Sequence, residues 1–147
     1  MQNLPFLSQA ILYFLLALMA FDSAIVWLWQ IMVMKGKVMK NPDGSVDDWH
    51  VQKMFYGIAI ADIFLACPTT IAGIVMLLTG SRWGYYILAL VSFWFLWSNI
   101  MTTVTSMRFE KPKMTLRWFF TFPFGSFIGL AYIIWTFIHF DIIYFRH

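Results

Sequence analysis

Charge is what this chain has least of. Only 12% of its 147 residues are Asp, Glu, Lys or Arg, against roughly 25% in an ordinary soluble domain. With 61% of residues apolar, that balance excludes a soluble domain and points to the bilayer. Cysteine is nearly missing too: Cys67 stands alone inside an apolar run, which excludes an internal disulfide and a CxxC dithiol centre. No lysine interrupts an apolar run, so a Schiff base of the retinal kind is excluded. No glycine-rich phosphate motif is present. His50 and His139 fall at opposite membrane faces, so neither a haem nor a metal site is supported, and no cofactor is expected.

What is there is length and apolarity. A hydrocarbon core about 30 Å thick needs roughly 20 helical residues to cross it, and residues 9–34, 54–80, 84–107 and 118–140 reach that length. The expectation is an all-α polytopic membrane protein, an antiparallel bundle of four transmembrane helices forming one domain over 1–147. The first run exceeds the 7–15 apolar residues of a signal peptide and has no Lys or Arg before it, so it reads as a permanent helix.

Basic residues are placed unevenly. Lys35, Lys37, Lys40 and Lys53 flank the first loop, and Arg108, Lys111, Lys113 and Arg117 flank the third, while the other side has Arg82 and Arg146. The positive-inside rule then predicts loops one and three in the cytoplasm, with both termini outside or lumenal. Such a basic surface suits anionic lipid, not nucleic acid. Asn41-Pro42-Asp43-Gly44 predicts a reverse turn, and Ser45 with Asp48 predicts a helix start before Trp49. Gly80 to Gly84 is short enough to force an antiparallel hairpin, Pro112 stops a helix, and Trp49, Trp83 and Trp118 read as interfacial anchors.

Against this background Asp22 and Asp62 stand out, because a carboxylate at bilayer mid-depth costs about 2.5 to 3.5 kcal/mol even on lenient scales. At 1.5 Å per residue, Asp22 lies roughly 20 Å from Lys35, and Asp62 roughly 14 Å from Lys53. Asn99 and Ser126 fall at a similar depth, so four helices bring polar groups to one layer. Ser92, Asn99, Thr102, Thr103 and Ser106 share a stripe of the third span; Asp62, Ala66, Thr69 and Gly73 share one face of the second. Hydroxyls of this kind also serve as packing residues and interhelical bonds worth about 0.6 kcal/mol each. Two carboxyls sharing a site divide roles, one keeping its proton as acid and the other acting as base or counter-ion. Pro68 and Pro123 predict kinks. Aromatics near this layer, Trp29 and Trp97 among them, are candidate walls of a flat apolar pocket that also suits amines through cation–π attraction. His139 and Asp141 point to different faces at the outer end of the fourth span, and His139 reads as an interfacial anchor.

The order of several motifs resembles the EXPERA family, which includes the emopamil-binding sterol isomerase and the sigma-2 receptor. The resemblance is carried by Phe21-Asp22, Ala61-Asp62-Ile63-Phe64 with Pro68, Gly80 and Trp83, and Met101-Thr102-Thr103. It implies that Asp22 and Asp62 are the acidic pair of an intramembrane pocket, protonating a sterol double bond in isomerase members and holding amines and sterols in receptor members. Two features depart from the family pattern: Asp62 stands where the family usually has Glu, and the charge asymmetry places the termini outside rather than in the cytoplasm.

The expected function is therefore an intramembrane acidic pocket for a sterol, isoprenoid or lipophilic amine, with double-bond isomerisation as the chemistry open to a carboxyl pair. Its candidate catalytic residues are Asp22 and Asp62, and its candidate ligand contacts are Asn99, Thr69, Thr102, Ser126, Trp29 and Trp97. The alternatives are an assembly subunit of a larger membrane complex, with a homo-oligomeric or membrane-protein partner, and proton or ion translocation.

Overall fold

The computed structural model describes residues 4–37, 49–110 and 114–145, with the backbone alone for 49–54, 109–110 and 117. The Asn41 to Gly44 turn, the Ser45–Asp48 cap and Pro112 lie outside the described residues. Among these residues every regular element is helical, and three helices are long and apolar enough to cross a membrane: Phe6–Met34, Phe55–Leu78 and Trp83–Arg108.

Helix α1 (Phe6–Met34) contains no Gly or Pro and runs 29 residues, about 43 Å at 1.5 Å per residue. It ends where Gly36 adopts φ 68° and the Lys37 amide bonds the Met32 carbonyl, a left-handed cap that suits glycine. The second long helix is continuous from Trp49 to Leu78 but changes its winding. Helix α2 (Trp49–Ala61) passes into a π turn over Asp62–Ala66, then into α3 (Cys67–Leu78). The kink expected at Pro68 takes this form: the Cys67 amide reaches back five residues to the Asp62 carbonyl. Proline has no amide and its ring crowds the carbonyl four residues earlier. Widening the preceding turn accommodates that defect without breaking the helix.

Helix α4 (Trp83–Thr105) follows a tight turn in which Gly80 has φ 88°. A side chain on Gly84 would meet Leu77, and one on Gly73 would meet Leu88. The register therefore falls on one strand of the hairpin as it rises on the other, so α3 and α4 run in opposite directions, as the short loop predicts. Helix α4 ends in a second π turn over Ser106–Glu110.

The fourth apolar segment differs from the expectation of one helix over 118–140. It divides into α5 (Leu116–Thr121) and α6 (Phe124–Ile138), with a short α7 (Phe140–Tyr144) beyond. Pro123 is responsible, since it cannot donate to the turn before it. The break turns α5 inward: Trp118, expected as an interfacial anchor, is 5% exposed with its indole N–H bonded to Ser106 Oγ at 3.0 Å. Helix α6 has 15 residues, about 22 Å, short of a full hydrocarbon core.

The dry core lies toward the Gly80 end. Leu12, Leu15, Leu16 and Met19 of α1, at the i, i+3, i+4, i+7 spacing of one face, pack with Leu77, Leu88, Val91, Phe95, Ile128, Tyr132 and Trp135. On the outside, Phe14, Phe21, Leu28, Phe64, Phe93 and Phe127 are exposed. That inverted surface suits lipid as its solvent.

Candidate functional site

Beyond Phe95 toward the first loop the packing opens into a partly enclosed cavity of about 120 Å³. Helix α1 presents Asp22, Ser23, Val26 and Gln30 to it; the second helix presents Phe55, Ile58, Asp62, Ala66, Cys67 and Thr70; α4 presents Trp94, Phe95, Ser98, Asn99 and Thr102; α5 adds Thr121. Each set repeats at helical spacing, so three long helices contribute one stripe apiece. Asp22 and Asp62 thus line a single chamber.

The two carboxyls are differently provided for. Asp62 is 7% exposed, and both its oxygens accept hydrogen bonds: Oδ2 from Gln30 Nε2 at 2.7 Å and Oδ1 from Trp94 Nε1 at 3.2 Å. Its partners are neutral, and they clamp the side chain from α1 and α4 at once. Asp22 is half-buried, and no hydrogen bond to its carboxyl is found among the described residues. Beside it Ser23 is 1% exposed, and its Oγ is a buried polar atom without a partner. A serine within a helix ordinarily bonds the carbonyl one turn back, as Ser92 does to Leu88 at 2.7 Å. An orphaned buried hydroxyl costs about 1 to 3 kcal/mol, and the chamber leaves Ser23 in that state.

The π turn decides which threonine faces inward. In an uninterrupted α-helix Thr69 lies seven residues, almost two whole turns, beyond Asp62. The extra residue taken up by the wider turn hands that place to Thr70, which is wholly buried with Oγ1 bonded to the Ala66 carbonyl at 2.8 Å. Thr69 is half-buried outside the lining.

Of the residues proposed from sequence, Asp22, Asp62, Asn99 and Thr102 are brought together. Asn99 Nδ2 donates to the Phe95 carbonyl at 2.9 Å, and its side chain lies against Gly125, where a Cβ would collide with it. Thr102 Oγ1 returns to the Ser98 carbonyl at 3.0 Å. Ser126, Trp29 and Trp97 are not in the lining: Ser126 Oγ closes on the Pro123 carbonyl at 2.6 Å, and Trp97 is 57% exposed. Gln30 and Trp94 escaped the sequence reading, although Gln30 had a signal. It is an amide inside an apolar run, eight residues and thus just over two turns beyond Asp22, within one broad helical stripe. Ser23 and Ser98 had none beyond being hydroxyls.

Among the described residues no group of three or more His, Cys, Asp or Glu converges as a metal site. What the chamber has is a carboxyl pair, several hydroxyls, an indole and two side-chain amides among apolar residues. Comparison with family models, with curated proteins and with solved structures finds no match for this chain.

Proposed function

We propose that this is a membrane-embedded binding protein whose cavity receives the protonated head of a lipophilic amine, with Asp22 as counter-ion. The observation that carries this is the asymmetry between the acids. Asp62 already has two donors, whereas Asp22 has none among the described residues and sits beside the unpartnered Ser23 Oγ. An ammonium provides what both lack, N–H donors and one positive charge. Trp94 and Phe55, which also line the cavity, add aromatic faces that attract a cation.

Size limits the occupant. The cavity of about 120 Å³ is well below the roughly 300 Å³ at which sites begin to enclose drug-sized molecules. It takes a head group and leaves an alkyl tail among the exposed apolar side chains outside. A whole sterol nucleus does not fit the chamber as it stands, which favours binding over double-bond isomerisation. A carboxyl pair lining one cavity remains the feature that the EXPERA-like motif order implies.

In this reading the chain crosses the bilayer four times as an antiparallel bundle, α5 and α6 together making the last crossing. Loops one and three are cytoplasmic, in accord with their basic residues. The cavity then opens in the cytoplasmic half.

The test is titration of the purified protein in lipid nanodiscs with dodecylamine and with dodecanol, followed by Trp fluorescence. The amine is expected to bind at least tenfold more tightly, the worth of one charge-assisted hydrogen bond at about 1.5 to 3 kcal/mol, and Asp22→Asn to remove that preference. Equal affinity for amine and alcohol, or a preference untouched by Asp22→Asn, overturns the reading.

A further inference from the structure

At the opposite end from the cavity, where the first turn of α1 meets the break between α6 and α7, we propose that Ser8 and His139 form a nucleophile pair that cleaves carboxylic esters of membrane lipids. It is independent of the cavity and of what the cavity binds.

Three groups stand in sequence. His139 Nδ1 lies 2.8 Å from the Trp135 carbonyl, and His139 Nε2 lies 2.9 Å from Ser8 Oγ. A carbonyl only accepts, so Nδ1 carries the ring proton. Nε2 of the neutral ring is then an acceptor, and the Ser8 hydroxyl is its donor. Base-activated serine needs this relation: a hydroxyl within hydrogen-bond reach of an imidazole whose far nitrogen is held by a third group. Here a backbone carbonyl holds it in place of a carboxylate. The ring is fixed further by stacking on the Trp135 indole, centroids 4.5 Å apart, and that indole donates to the Ser8 carbonyl at 3.2 Å. His139 is 9% exposed whereas Ser8 is half-buried, so the base is shielded while the nucleophile stays within reach.

The surroundings select the substrate. Phe6 and Leu7 precede Ser8, and Phe137 and Ile138 precede His139; they are 87%, 70%, 71% and 72% exposed. Large apolar side chains standing free at the end of an apolar helix mark the edge of the hydrocarbon layer, the depth at which lipid ester groups lie. The Leu7 and Ser8 amides belong to the first turn of α1, whose N–H groups have no acceptor within the helix. They are the donors at hand for a developing oxyanion.

The chemistry balances with water as the second reactant. Ser8 Oγ bonds the ester carbonyl carbon while its proton passes to His139 Nε2. Collapse of the tetrahedral adduct breaks the bond to the alkoxide, which leaves with that proton and makes an acyl-Ser8. Water, deprotonated by Nε2, then attacks the acyl carbon, releases a carboxylic acid and returns the proton to Ser8.

The experiment uses the full chain in phosphatidylcholine nanodiscs, treated with a fluorophosphonate and mapped by mass spectrometry, with fatty-acid release from the disc lipid followed in parallel. An adduct on Ser8 is expected, absent from Ser8→Ala. His139→Gln is expected to slow labelling by about 100-fold, the lower end of what general-base catalysis contributes. Wild-type protein without an adduct on Ser8, or fatty-acid release equal to that of Ser8→Ala, overturns the proposal. The wild-type adduct and the fatty-acid release decide the matter even if His139→Gln fails to fold.

Discussion

The Gln30 side-chain amide donates to the Asp62 carboxylate over 2.7 Å, fastening the end of α1 to the π turn in the second helix. This bond leaves Asp62 an internally committed acid and Asp22 the available one. The two acids should therefore answer differently to the same substitution.

Replacing Gln30 by Leu removes one of the two donors to Asp62 and leaves an acceptor poorly satisfied in an apolar setting. A loss of about 1 to 3 kcal/mol of stability is expected. Chemical denaturation in mild detergent would show it, whereas Asp22→Asn, which breaks no bond to a described residue, should leave the midpoint nearly unchanged.

Ser23→Ala separates stability from function. Deleting an unpartnered hydroxyl that is 1% exposed should raise the stability of the ligand-free protein by about 1 kcal/mol while weakening amine affinity. A variant that is both less stable and binds normally contradicts the assignment of this hydroxyl to the ligand.

Pro68→Ala removes the cause of the π turn. With an amide restored at position 68 the regular winding becomes available, and Thr69 then competes with Thr70 for the inward place. Helix content by circular dichroism should stay the same or rise, while dodecylamine affinity falls. Unchanged affinity would mean that the wide turn does not shape the site.

Glycines offer an internal control on the packing. A Cβ on Gly84 would lie 2.5 Å from the Leu77 backbone nitrogen, whereas Gly57 has nothing within 4 Å. Gly84→Ala should cost about 1 to 3 kcal/mol by forcing the hairpin apart. Gly57→Ala should be neutral or gain up to about 1 kcal/mol from helix propensity. Paired thermal melts in one detergent compare the two directly.

Much of this was legible in particular residues. Long apolar runs marked the three membrane-length helices, and Gly80 with Gly84 marked the hairpin. Asp22 and Asp62 announced themselves because a charge in an apolar run is expensive, and Asn99 and Thr102 followed by helical spacing. Spacing failed where the helix is not regular: Thr69 was chosen by a 3.6-residue period that the π turn suspends, and 118–140 was read as one span kinked at Pro123, where the proline in fact divides it into two helices. Trp94 could not be found from sequence. An indole donor becomes a partner for Asp62 only when α4 is set against the second helix, and the same residue pointing outward would be one more lipid-facing aromatic.

The sequence by itself determined the solvent this protein is built for and the residues too polar to stand in it unaided. Both follow from transfer free energies, which belong to each side chain separately. Only the tertiary structure decided that the two acids share a chamber, that one is tied by an amide and an indole while the other is not, and that a serine and a histidine 131 residues apart meet at the far end. Those are matters of distance and direction between helices, and no local run of residues encodes them.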